Sequence, residues 1–166
     1  HGKNEYNRKG KLAGHLPGVH LNETGRQQAE ALVARLSQVP LKAVYSSPLE
    51  RALETARPLA QARGLKVQTC VGLGEIDYGT WTGRSLKQLA RTQLWREVQL
   101  RPSRMQFPQG ETFLAAQGRA VAAVEALARV HRKDLVAAVS HGDVIRLLVA
   151  HYLGQPVDLF QRLVVS

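Results

Sequence analysis

The sequence predicts an α/β fold built around a mostly parallel sheet. Helix and strand patterns alternate along the chain, and the strand candidates are short apolar runs such as Leu135–Val139, bounded by charge. No internal repeat, low-complexity tract or linker divides the 166 residues, so a single core is expected.

Residues 1–21 hold Gly2, Gly10, Gly14, Pro17 and Gly18 with little periodicity and read as loop. Asn22 is a plausible N-cap for a helix to about Gln38, with Ala29, Leu32, Val33 and Leu36 on its apolar face. Leu41–Tyr45 reads as a buried strand. Ser46-Ser47-Pro48 then turns the chain into a helix over Leu49–Arg63, with Gly64 beyond its end. Pro58 is expected to bend that helix or end it early. Leu65–Cys70 reads as a strand and Gly72–Gly83 as a loop with four glycines. Ser85 and Gln88 form a capping-box pattern for a basic helix over Leu86–Val98. Pro102 to Gly110 is loop. Thr112 caps a long helix to about His131, striped by Phe113, Ala116, Ala120, Val124 and Leu127. The strand Leu135–Val139 follows, then the turn Ser140–Asp143 and a helix over Val144–Leu153. Leu163–Val165 is expected to start another strand.

Composition excludes several classes. With 44% hydrophobic residues the chain has material for a core, and with Cys70 alone it has no disulfide framework. No apolar run approaches the ~18 residues of a membrane span. The polar, basic opening has no signal-peptide pattern, and with one free thiol this points to the cytoplasm. The net charge of +10 suits anionic partners in general. Between Arg84 and Arg104 lie six cations and one anion, Glu97. A positive field around an anion site and a solvated basic face both explain that block.

In parallel sheets a ligand site lies where strand ends meet helix N-termini. Arg51 and His141 follow two such ends, Glu75 sits in the glycine-rich loop, and His1 heads a glycine-rich, basic opening. A guanidinium suits the oxygens of a phosphoryl group, a neutral imidazole can attack phosphorus, and a carboxyl can protonate a leaving oxygen. Such a scheme needs no metal or other cofactor. A metal site from His1, His15, His20 and Asp143 matches no ligand spacing. His15, His20, His131 and His151 read as surface or satisfied core residues. Arg51 could instead pair with Glu50 or Glu54 on its own helix.

The motifs resemble those of the histidine phosphatase superfamily, with its phosphoglycerate-mutase-like fold. His1-Gly2 with Asn7, and Gly14 with Leu21–Gly25, resemble the first motif; Ser46–Ala52 with Thr55 resembles the second. Leu73–Gly83 resembles the acid loop, Gly110-Glu111-Thr112 a later turn, and Val139–Gly142 the closing motif. The resemblance implies a three-layer α/β/α sandwich. It implies His1 as the phosphorylated nucleophile, Arg51 and His141 as phosphoryl-binding groups, and Glu75 as general acid/base. Gly2, Asn7, Ala13, Gly14, Tyr78 and Gly142 would line the substrate site, with the basic helix after Ser85 over its entrance. The family's first motif has a strand and an Arg before the His, and the family continues past Val165. The expectation is therefore one histidine-phosphatase domain over residues 1–166 without that strand, that Arg and a C-terminal segment.

The activity implied is a metal-independent phosphatase acting on a small phosphorylated metabolite, with no membrane or nucleic-acid partner. One alternative is a cofactor-dependent phosphoglycerate mutase, although the sequence lacks the adjacent Arg pair that grips a substrate carboxylate. Another is an inert basic nucleic-acid-binding module, although Trp95 is the only aromatic in the basic block.

Overall fold

A computed structural model describes residues 1–165. Three parallel strands form the sheet: β1 (Leu41–Ser46), β2 (Val67–Thr69) and β3 (Leu135–Val139), in the order β2-β1-β3. The central strand alternates its side chains between two helical layers. Val44 faces α3 (Glu50–Ala62), packing with Ala56, Leu59 and Ala60, and α2 (Glu23–Arg35) lies against α3. Ala43 and Tyr45 face α6 (Phe113–Val130), packing near Val124 and Leu127. The result is helix, sheet, helix. The largest core joins α6 to α7 (Gly142–Tyr152) around Phe107, Phe113, Leu147 and Phe160.

Several local expectations need correction. Within the predicted loop of residues 1–21 lies a one-turn helix, α1 (Glu5–Arg8). Asn4 Oδ1 accepts from Asn7 N, and Asn7 Oδ1 accepts from Asn4 N, so two amides close a reciprocal cap. α2 stops three residues short of Gln38. α3 runs through Pro58 to Ala62, because Ala56, Leu59 and Ala60 hold its buried stripe against the sheet. The second strand keeps only Val67–Thr69 of the predicted Leu65–Cys70.

The basic helix is broken into α4 (Leu86–Leu89) and α5 (Gln93–Leu100), and Ser85 makes no side-chain cap. In one continuous helix Leu89 and Val98 would face opposite sides, nine residues apart at about 100° each. The break at Ala90–Thr92, where Thr92 Oγ1 donates to Leu89 O, lets both enter the same core. Leu163–Val165 forms no strand: Val164 is 90% exposed, and Leu163 O instead accepts from Arg146 Nε. No helix among the described residues is long and apolar enough to cross a membrane.

Candidate active site

The C-terminal ends of the strands meet at one place. β1 ends in Ser46-Ser47, and Ser47 N donates to Val139 O at the end of β3. Ser140 Oγ donates to Leu73 O, which draws the loop after β2 to the same edge. The main-chain nitrogen of His1 donates to Ser140 O at 2.8 Å, setting its ring beside His141. Gly2 N donates to Thr55 Oγ1, and that hydroxyl donates to Arg51 O, so the opening segment is pinned to α3. Gly2 lies so close to Gly25 that a Cβ would meet the Gly25 carbonyl at 2.5 Å.

These constraints bring His1, Arg51, Glu75 and His141 together around one guanidinium. Arg51 is 1% exposed. Its Nε donates to His1 Nε2 (3.2 Å), and its Nη2 donates to Gly14 O (3.0 Å) and to His141 Nδ1 (3.3 Å). Glu75 Oε2 lies 3.9 Å from Arg51 Nη2 and 3.7 Å from His141 Nδ1. The remaining nitrogen, Arg51 Nη1, is buried with no hydrogen-bond partner. An unsatisfied buried guanidinium nitrogen is costly unless an acceptor arrives, and a phosphoryl oxygen is a well-matched one. Arg51 therefore pairs with neither Glu50 nor Glu54.

The hydrogen bonds fix the imidazole protons. Gly2 O can only accept, so the proton of neutral His1 sits on Nδ1, 2.7 Å from it, and Nε2 keeps its lone pair facing Arg51. Arg51 can only donate, so neutral His141 accepts at Nδ1 and gives its Nε2 proton to Ser47 Oγ at 2.7 Å. Burial first, and then the charge of Arg51, holds His141 well below the usual imidazole range. Glu75 moves the other way. Burial, then the negative charge of Asp143, raises its carboxyl to about 7, against a bond from Ile76 N and the charges of Arg51 and Arg119. Tyr78 is raised by burial and by Glu75 and Asp143.

Glu75 is held by a brace that the sequence did not disclose. Arg119, reaching from α6, donates to the carbonyls of Gly72, Gly74 and Glu75. Its guanidinium is gripped in turn by both oxygens of Glu111, which also accepts from Asp77 N. Gly79 (φ +52°) and Gly110 let these two loops touch backbone to backbone, since a Cβ at Gly79 would overlap the Pro108 carbonyl. The sequence reading of His15 is a surface or satisfied core residue. It is exposed, yet its Nε2 lies 2.6 Å from Glu75 O, the carbonyl that Arg119 also binds. Ser47 stands out in the sequence only as part of the Ser46–Ala52 motif. Neither residue's spacing betrays its partner.

The other expected site residues divide. Gly14 is buried against Tyr78 and Thr82 and presents its carbonyl to Arg51. Tyr78 is buried, edge-on to Phe107, with its hydroxyl 3.4 Å from Asp143. Gly2 orients His1, and Gly142 is the first residue of α7, directly after His141. Ala13 is half-buried one residue before Gly14. Asn7 is exposed and its side-chain oxygen is engaged in the α1 cap. His20 pairs with Glu54, and His131 bonds Tyr45 and Asp134.

His1, Glu75 and His141 bring ligand atoms within 4.8 Å of one another. The Arg51 guanidinium already stands among those atoms, so a divalent cation would meet a fixed like charge there and an anion an opposite one.

The histidine phosphatase superfamily (branch 1) profile matches residues 1–166. A phosphoserine phosphatase 1 of Hydrogenobacter thermophilus is 30% identical over 162 residues, 96% of this chain and 76% of that protein. A 2,3-bisphosphoglycerate-dependent phosphoglycerate mutase of Thermoplasma acidophilum is 29% identical, over 92% of this chain and 73% of its own. The solved structure of Bacillus stearothermophilus YhfR superposes with a TM-score of 0.93 at 30% identity, covering 100% of this chain and 83% of that one.

Proposed function

The chain belongs to the histidine phosphatase superfamily (branch 1), and we propose that it is a phosphatase hydrolysing small phosphomonoesters through a phosphohistidine at His1. The observation that carries this reading is the single buried guanidinium joining both imidazoles and Glu75, with one nitrogen left for an anion.

In the first half-reaction the phosphoryl group sits against Arg51, His141 and the N-terminus of α7. His1 Nε2 attacks phosphorus in line; the N–P bond forms as the ester P–O bond breaks. Glu75 gives its proton to the departing oxygen, and the alcohol leaves. In the second, water attacks the phosphohistidine, Glu75 takes a proton from it, and the N–P bond breaks. Inorganic phosphate leaves, and His1 and Glu75 return to their starting states. A carboxyl near 7 can play both parts at neutral pH. Arg51 supplies the positive charge, so no metal enters the scheme.

Relatives named as phosphatases and as mutases both match the chain. The phosphatase reading is favoured because no adjacent Arg pair follows Glu75; Arg91 and Arg96 are separated. A panel of phosphomonoesters, assayed with and without chelator, tests it. Released phosphate insensitive to chelator is expected. Interconversion of 3- and 2-phosphoglycerate faster than phosphate release would overturn it.

A further inference from the structure

A cleft of about 360 Å³ is lined by Lys11, Ser85, Lys87, Gln88 and Arg91. No carboxylate lines it, and none of its three cations forms an ion pair among the described residues. Its two walls are tied together by main-chain bonds. Leu86 N donates to Gly10 O (2.8 Å), Leu12 N to Arg84 O (3.0 Å) and Gly83 N to Leu12 O (2.7 Å), with Lys11 opposite Ser85. The same segment continues through Ala13 to Gly14, whose carbonyl holds Arg51. Lys11 and Gly14 are three residues apart, so their Cα atoms are separated by about 11 Å at most.

Three unpaired cations with a hydroxyl and an amide make a site for phosphate or carboxylate oxygens. We infer that this cleft is a second anion subsite beside the cradle, and that the favoured substrate carries a second anionic group besides its scissile phosphoryl. This rests on the phosphatase reading of the neighbouring cradle. A nucleic-acid strand fits less well. Trp95, the one aromatic of the basic block, is partly buried and stacked on Trp81.

The test compares esters that differ only in the distal group: fructose 1,6-bisphosphate against fructose 6-phosphate, and 6-phosphogluconate against sorbitol 6-phosphate. The first pair asks for phosphate and the second for carboxylate. The wild-type protein should favour the anionic member of at least one pair. The Lys11→Gln/Lys87→Gln/Arg91→Gln protein should lose roughly tenfold in kcat/KM on that member, with p-nitrophenyl phosphate turnover unchanged. Calorimetric binding of the same compounds to the His1→Ala protein, with and without the three cleft substitutions, should show the same preference and its loss. No preference for a distal anion, or an equal loss on every ester, overturns the subsite. Calorimetry still decides the subsite if no ester is hydrolysed, in which case the phosphatase reading is what fails. Tight, salt-steep binding of single-stranded RNA that outcompetes the bisphosphate also overturns it.

Discussion

Glu75→Gln separates two consequences of one buried carboxyl. The side chain is 13% exposed, its Oε1 accepts from Ile76 N, and a Gln amide oxygen can keep that bond. Raising the carboxyl from 4.5 to about 7 corresponds to ~3 kcal/mol. The folded protein holds this proton to higher pH than the unfolded chain does. Its contribution is therefore fully present below pH 4.5 and is lost as pH rises to about 7. Gln has no proton to lose. The variant should match the wild type near pH 4.5 and exceed it by ~3 kcal/mol above pH 7, measured by urea unfolding at pH 5 and pH 8. Catalysis should move oppositely. With β-glycerophosphate, whose alkoxide needs a proton, kcat/KM should fall by about 10²–10⁴; with p-nitrophenyl phosphate, whose leaving group needs none, by less than about tenfold. kcat/KM ends at the first irreversible step, so it isolates departure of the leaving group. Equal losses on the two esters, or a variant less stable than wild type at pH 8, would refute the assignment of Glu75 as the acid.

Arg51→Lys replaces a fork that touches His1, Gly14 and His141 with one point charge, and kcat/KM on p-nitrophenyl phosphate should fall about 10²-fold or more; near-normal turnover would contradict its role. On binding a phosphoryl oxygen His141 shifts its proton from Nε2 to Nδ1, and the bare Nε2 then accepts a hydrogen bond from the Ser47 hydroxyl. Ser47→Ala should therefore raise KM and the inhibition constant of inorganic phosphate together, by about tenfold, while the circular dichroism spectrum is unchanged. Gly79→Ala combines left-handed backbone with overlap on Pro108 and should cost ~3 kcal/mol, read as a Tm lower by about 10 °C; an unchanged Tm would mean that the two loops do not depend on this close approach.

The sheet and its helices were legible because their signals are local. Val44 with Ala43 and Tyr45 reports a strand buried on both faces, and the stripe Ala52-Ala56-Leu59 reports α3. Arg51 and His141 were legible as residues just after strand ends, and Glu75 and His1 as parts of glycine-rich motifs. What the sequence concealed depends on long-range contacts. Arg119 reaches Glu75 from 44 residues away, and Ser47 meets His141 across 94. The break between α4 and α5 is dictated by a core that both must enter, against the continuous helix that local propensity favours. The α1 cap used two asparagines where a Ser or Thr with a Glu is the commoner pattern.

The central claim is that His1 Nε2 takes the phosphoryl group. Rapid alkaline quench of a turnover with ³²P-labelled ester, followed by peptide mapping, addresses it directly. The account predicts an alkali-stable, acid-labile phosphate on the peptide that contains His1, lost when His1 is replaced by Ala. Label on any other residue, or full turnover by the His1→Ala protein, would contradict it.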